Sequence, residues 1–315
     1  MNNVIRVSLL IPTMNRPESL NRTLNTYMSG DAIPSQVIVV DQSQTKEMRD
    51  QNRGVLEKYN KEIDCKYIYQ EKPSLTLARN NAFSHAEEEI IVYSDDDVDA
   101  YPQTLNNVFE VMKDASVSMI AGIDDNGNSN NSPLGFIVGT RSFKNRNIGH
   151  VTKSMLGRFP NSIHGEVNTQ WAMGYFFVIR RSLVISWGLK FDENLESYAL
   201  SEDLDFSYSY YKHSKKESYR CIISDKVHVK HLVSREYRVP SKKETYMFVL
   251  YRAYLSKKHG EGLYGRICCG WCDFWRLILR VKNHETPKDM YKAMIYLIKN
   301  RNDVNNGHFY YGGNS

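Results

Sequence analysis

The sequence predicts an α/β fold, a mostly parallel sheet flanked by helices, followed by a C-terminal helical extension. Three observations predict it. Short apolar runs alternate with helical patterns through the first hundred residues, as βα units do. Polar and acidic residues collect where those runs end. From Lys242 the composition turns basic, aromatic and helical.

VIRVSLLI reads as the first strand, ended by Pro12, and RPESLNRTLNTYM follows as a helix with Pro17 in its first turn, where a missing N–H costs nothing. QVIVV is a second strand ending at Asp41, and CKYIY is a third. In SLTLARNNAFSHA, Leu75, Ala78, Ala82 and Phe83 fall near helical spacing, with Ser74 as N-cap. EIIVY is a fourth strand and runs directly into Ser94-Asp95-Asp96-Asp97. Residues 122–170, rich in Gly, Asn, Ser and Thr, read as loops and irregular structure. GYFFVIRRSLVISWGL restores a strand and a short helix, and FDENLESYALSEDLDFSYSYYK follows. Ligands of an open parallel sheet bind outside the carboxyl ends of its strands. Pro12 to Arg16, Asp41 and Asp95 to Asp97 are therefore expected on one face.

The net charge of +5 conceals an asymmetry: residues 242–315 hold 13 Lys/Arg against 6 Asp/Glu, a net of +7, which leaves −2 for residues 1–241. The N-terminal apolar stretch is short for a signal peptide and broken by Pro12, and no later run approaches the ~20 apolar residues a bilayer span requires. The chain reads as cytoplasmic, or attached to a membrane from its cytosolic face. Five unevenly placed cysteines argue for reduced thiols. The CCGWC cluster offers three sulfurs where a closed zinc site needs four ligands, so buried thiols along a helix are the better reading.

Three consecutive carboxylates at a strand end repel one another and ionise most easily around a cation, with oxygen ligands that suit Mg²⁺ or Mn²⁺. The alternative is a solvated acidic turn. Glu202-Asp203, with Asp205 beyond, opens EDLDFSYSYY, either as dipole partners at a helix start or as a source of a general base. In KVHVKHLVS, strand alternation puts His228 and His231 on opposite faces, and either is more often structural than ligating. The chain lacks G-x-G-x-x-G after its first strand, G-x-x-x-x-G-K-[ST] and G-x-S-x-G, which removes support for dinucleotide binding, Walker-type hydrolysis and a serine elbow.

Five segments occur together in order: VSLLIPTMNRPESLNRTL, VIVVDQS, LTLARNNAFSHAEEEIIVYSDDDV, GYFFVIRRSLV with WGLKFDENL, and SEDLDFSYSYY. With them, residues 1–240 resemble an inverting family 2 glycosyltransferase of the GT-A fold, the Rossmann-like arrangement of nucleotide-diphospho-sugar transferases. The resemblance implies that Pro12, Thr13 and Asn15 line the nucleotide pocket, that Asp41 hydrogen-bonds the base, and that Arg79 approaches the ribose or diphosphate. Asp95-Asp96-Asp97 matches the DxD motif: Asp97 is the expected direct metal ligand, and Asp95 or Asp96 lies nearer the ribose or sugar, Asp95 also being a candidate ligand. Glu202 and Asp203 match the ED pair, with Asp203 as base. His231, three residues before Ser234, fits an H-x-x-S segment that adds a metal ligand in some members. Two positions depart from the family's pattern: Pro73-Ser74 and Ser201 stand where many members have glycine.

The resemblance further implies a nucleotide-binding half over 1–105, an acceptor-side half over 106–240 and a basic helical region over 241–315. The expected donor is a nucleotide-diphospho-sugar, a UDP-sugar first, and the acceptor a glycan or lipid-linked glycan in polysaccharide, capsule or cell-wall assembly. Rival readings are a sugar nucleotidyltransferase, whose Gly-rich basic loop is missing at PTMNRP, and a catalytically silent, membrane-docked module of the same fold. Nucleic-acid binding is not expected. In the tail, apolar residues at 264, 267, 268, 271, 274, 275, 278 and 279 form a helical stripe near Arg266, Arg276, Arg280 and Lys282. Either the region 241–300 meets an anionic membrane surface peripherally, or the stripe packs onto the catalytic domain or a second subunit as a homodimer.

Overall fold

The structure, a computed structural model, describes residues 3–127, 134–196, 199–233 and 241–311. β1 (Asn3–Thr13) leads through α1 (Pro17–Met28) to β2 (Ala32–Asp41), and α2 (Lys46–Glu57) leads on to β3 (Asp64–Tyr69). Then come α3 (Leu75–Ser84), β4 (Ile90–Ser94), β5 (Val98–Ala100), α4 (Thr104–Met112) and β6 (Val117–Asp124). Among its described residues, the irregular stretch holds α5 (Leu134–Ile137), β7 (His150–Val151), β8 (Gly157–Arg158) and β9 (Glu166–Asn168). It is followed by β10 (Phe176–Arg180), α6 (Arg181–Ser186), α7 (Glu202–Lys216) and β11 (Arg220–His231), and the chain closes with α8 (Ser241–Lys258), α9 (Gly262–Lys282), α10 (Lys288–Lys299) and α11 (Arg301–Asn305).

The main sheet runs β3-β2-β1-β4-β10-β6-β11-β5, with β9 paired to β11. The pairs β3–β2, β2–β1, β1–β4 and β6–β11 are parallel, whereas β10 runs antiparallel to both its neighbours. β1, β2 and β4 are buried on both faces, which is why they read as unbroken apolar runs instead of alternating ones. Their side chains still alternate between layers. Leu9, Val37 and Val39 pack with α1, α2 and α4, while Leu10, Ile38 and Val40 pack with α3, α6 and α7. Pro12 does not end β1, which continues to Thr13, paired with Asp41. Ser74 caps α3 as expected, its Oγ accepting from the Leu77 amide.

The C-terminal helices are built onto the rest. A third core joins Val151, Trp171 and Leu204 to Tyr246, Leu250 and Leu255 of α8, Cys269 of α9 and Met290 of α10. All five cysteines are free thiols, and Cys269 and Cys272 lie buried along α9. Arg252 is buried within this core and donates to Asp273 at 2.6 Å and to the Ser154 carbonyl at 2.6 Å. Arg252→Ala would strand the Asp273 carboxylate and is expected to cost about 3–5 kcal/mol in urea unfolding. Arg252→Met combined with Asp273→Leu should recover most of that loss. A single variant within about 1 kcal/mol of the parent would show that the pair does not hold these helices.

Candidate active site

Parallel register aligns the carboxyl ends of the first strands. Thr13 pairs with Asp41, and Asp41 with Tyr69. The loops beyond are clamped together. Asn15, in the left-handed region at φ 56°, donates its amide to Ser43 Oγ at 2.7 Å, and its side chain accepts from the Gln44 amide at 3.0 Å. Asparagine tolerates that conformation better than most residues. Asp41 is completely buried and accepts from the Ser43 amide, Asn52 and Tyr67. Three protein donors fill the role expected of a base, so Asp41 organises the end of β2 and presents no open carboxylate.

The chain leaves β4 into the acid triplet, whose members take three different environments. The Asp95 amide bonds the Tyr175 carbonyl, just ahead of antiparallel β10, and the Asp95 side chain reaches the cleft. Asp96 turns inward: Thr13 donates to it at 2.6 Å, Arg16 pairs with it at 2.6 Å, and burial raises its carboxyl to about 7. Thr13 and Asp96 thus satisfy each other beneath the loops and do not line an open pocket. Asp97 lies 3.2 Å from His231 Nε2, because β11 ends beside β5 with His231 registered on Val98. His231 stacks on Tyr175 with ring centroids 5.0 Å apart, while His228 pairs with Asp125 elsewhere. Burial lowers the His231 pKa, but the bond and charge of Asp97 outweigh it and the net direction is upward.

Single ligand atoms of Asp95, Asp97 and His231 all lie within 4.8 Å of one another, a carboxylate–imidazole set that suits a divalent transition ion. The donor set fits Mn²⁺ or Mg²⁺ in chemistry and spacing. Ser234, the end of the H-x-x-S match, lies outside the described residues.

α7 begins at Glu202 and carries the second acidic group. Arg79 on α3, 1% exposed, donates to Glu202 at 2.6 Å, to Asp95 at 3.0 Å and to the Gly174 carbonyl at 2.8 Å. Its guanidinium thereby ties α3 to Asp95 and to Glu202 of α7, and the residue also lines the cleft. Glu202 pairs with Arg79 through one oxygen while also lining the cleft, and burial pushes its carboxyl to about 8. Asp203 accepts from the Gly174 amide at 2.9 Å and the Leu204 amide at 2.7 Å, and burial raises its carboxyl above the usual range. Gly174 lets these groups converge. A Cβ there would sit 3.0 Å from the Arg79 guanidinium nitrogens and 3.2 Å from Asp203 Cβ.

Ser201 precedes Glu202 with φ 69°, in the left-handed region. The glycine common in the family at this place has a conformational reason, and serine holds the same turn under strain. Ser201→Gly is expected to raise stability by about 1 kcal/mol with the site intact, measured by urea unfolding. Unchanged or reduced stability would show that the serine side chain compensates.

Asp95, Asp203, His231 and Tyr175 share one cleft of about 970 Å³. Arg16, expected on this face, pairs with Asp96 and Asp97. Two residues of the cleft carry no such signal in the sequence. Arg158 lines the cleft from the irregular stretch, where no periodicity marks it. Leu279 of α9 also lines it, so the C-terminal helices form part of the cleft.

A sheet covered on both faces by helices thus gathers acids and an imidazole at one end, where open α/β sheets bind their ligands. Residues 8–188 match the family model described as Glycosyl transferase family 2, and the chain belongs to that family. No curated protein matches the chain in sequence. Among solved structures, TarS residues 1–349 of S. aureus in complex with UDP-GlcNAc is similar at TM-score 0.55 and 18% identity, covering 80% of this chain and 66% of that one. The mannosyltransferase PcManGT of Pyrobaculum calidifontis, in complex with GDP-Man and Mn²⁺, matches at TM-score 0.52 and 16% identity, covering 96% and 84%. GalNAc-T7 with UDP, GalNAc and Mn²⁺ matches at 0.56 and 15%, covering 95% and 58%. All share the GT-A fold. Against the TarS structures the chain spans from 39% to 66% of their length.

Proposed function

We propose that this chain moves a sugar from a nucleotide-diphospho-sugar to an acceptor hydroxyl with inversion at the anomeric carbon. The observation that carries the reading is the cluster of Asp95, Asp97 and His231, whose ligand atoms lie within 4.8 Å of one another, beside a cleft that Asp95, His231 and Asp203 line together. A divalent ion, Mn²⁺ or Mg²⁺, bound by the first group would offset negative charge on the departing nucleoside diphosphate. Asp203 takes the acceptor's hydroxyl proton, and its two backbone hydrogen bonds fix its orientation. The acceptor oxygen bonds the anomeric carbon as the carbon–oxygen bond to the diphosphate breaks, and the diphosphate leaves with the electron pair. Arg79 and Glu202 hold Asp203 and Asp95 in register from below.

The donor reading draws on the nucleotide-sugars carried by the similar structures, a UDP-sugar first. The loops after β1 and β2, with Pro12 and Asn15, are assigned to the nucleotide on the family resemblance, and the cleft lined by residues of 134–163 and by Leu279 of α9 is assigned to the acceptor. In this reading residues 1–240 are the catalytic domain and 241–315 its helical extension. The acceptor is a glycan or lipid-linked glycan in polysaccharide, capsule or cell-wall assembly, and the reaction takes place on the cytosolic side. No described helix is long and apolar enough to cross a membrane.

The test is a panel of nucleotide-sugars assayed for binding and hydrolysis with Mn²⁺, with Mg²⁺ and with EDTA, followed by NMR assignment of the product's anomeric configuration. One preferred donor, metal dependence and an inverted product are expected. Failure of every donor to bind with either metal would overturn the reading.

A further inference from the structure

The tail helix α9 is turned inside out. The residues it buries are Gly265, Cys269, Cys272 and Asp273, whereas Leu263, Ile267, Trp271, Phe274, Ile278 and Val281 are between 40% and 69% exposed. These six fall within an arc of roughly 100° and extend along roughly 27 Å of helix. A helix packed only for its own domain would do the reverse, and a contiguous exposed apolar face of this length marks a contact surface. The expected stripe therefore does not pack as a whole onto the catalytic part.

The patch is broader than one helix. Trp271 Nε1 donates to the Ile137 carbonyl, and Ile137 on α5 is itself exposed. Phe136 packs edge-on against Phe143, an exposed aromatic with Arg146 stacked on its ring at 4.4 Å and Lys144 next to it in the chain. Lys282 stands at the far end of the stripe. The only carboxylate in α9, Asp273, is turned inward onto Arg252.

We propose that this face docks on an anionic lipid surface, with the aromatic and aliphatic side chains entering the interface and the cations meeting the headgroups. Two observations favour lipid over a second copy of the chain. Self-pairing through a two-fold contact would offer these cations no carboxylate of α9, since Asp273 is buried on Arg252. The patch also adjoins the cleft, since Leu134 and Val138 around α5 and Leu279 of α9 line it. Docking would thus bring the cleft mouth to the bilayer, where an acceptor anchored in lipid presents its hydroxyl. The docking itself does not depend on the transfer reaction.

The test is flotation of the full chain with liposomes. Partition onto phosphatidylglycerol-containing vesicles is expected, with little onto pure phosphatidylcholine, and it should weaken as salt rises. Ile267→Glu with Phe274→Glu should lower partition about tenfold or more while the thermal melt is unchanged. Quenching of wild-type tryptophan fluorescence by brominated lipid provides a readout that needs no variant. Absence of both flotation and quenching would overturn the proposal. So would a stable dimer in sedimentation that Ile267→Glu dissociates, since the face would then belong to a second copy.

Discussion

Asp203→Asn is expected to lower transferase turnover by about 10²–10⁴-fold while donor affinity stays within a few-fold of the parent. The amide keeps the size of the carboxylate but can accept only one of the Gly174 and Leu204 amides, which donate to different oxygens, and it no longer takes a proton. The loss should therefore fall on kcat and leave binding by calorimetry intact. The paired variant Glu202→Gln separates the two acids. Glu202 is held through one oxygen by Arg79, so its loss should appear as lower stability and misplacement of Asp203. If Asp203→Asn retained turnover and Glu202→Gln abolished it at unchanged stability, the base would have been assigned to the wrong residue.

Asp97→Ala is expected to abolish metal-dependent donor binding and reduce kcat/KM by roughly a hundredfold or more, since charge offset at the leaving diphosphate contributes several kcal/mol. The readout is a Mn²⁺ titration followed by donor hydrolysis. EDTA should silence the wild type, with activity returning when Mn²⁺ is added back. His231→Ala should weaken metal affinity less, because Asp95 and Asp97 remain. A variant Asp97→Ala with the parent's Mn²⁺ dependence would sink the assignment of this cluster.

The acid triplet shows how far sequence reading reaches. Its position at the end of β4 follows from the apolar run before it, and its exposure to a ligand follows from the rule that parallel sheets bind at their carboxyl edge. Which acid faces the cleft does not follow. Asp96 turns inward because Thr13 and Arg16 wait there, on a strand 83 residues away and the loop beyond it. Asp41 shows the same limit: the strand end is legible in QVIVVD, but its saturation by Ser43, Asn52 and Tyr67 needs α2 and β3 in place. Arg79 is a third case, its ARN segment recognisable in the sequence and its partners Glu202 and Asp95 set by packing.

By itself the sequence determined the class of the fold, the order of its first strands and helices, and the chemical type of its site. Those depend on local periodicity, capping and residue chemistry, which neighbours along the chain settle. Only the tertiary structure decided which acids point at the cleft, that Arg79 and Glu202 brace it, and that α9 buries its cysteines and aspartate while exposing its aromatics. A helical stripe has the same periodicity whether it faces in or out. Its direction is set by what packs on the opposite side, here the buried Arg252–Asp273 pair and α8, and no local pattern contains that information.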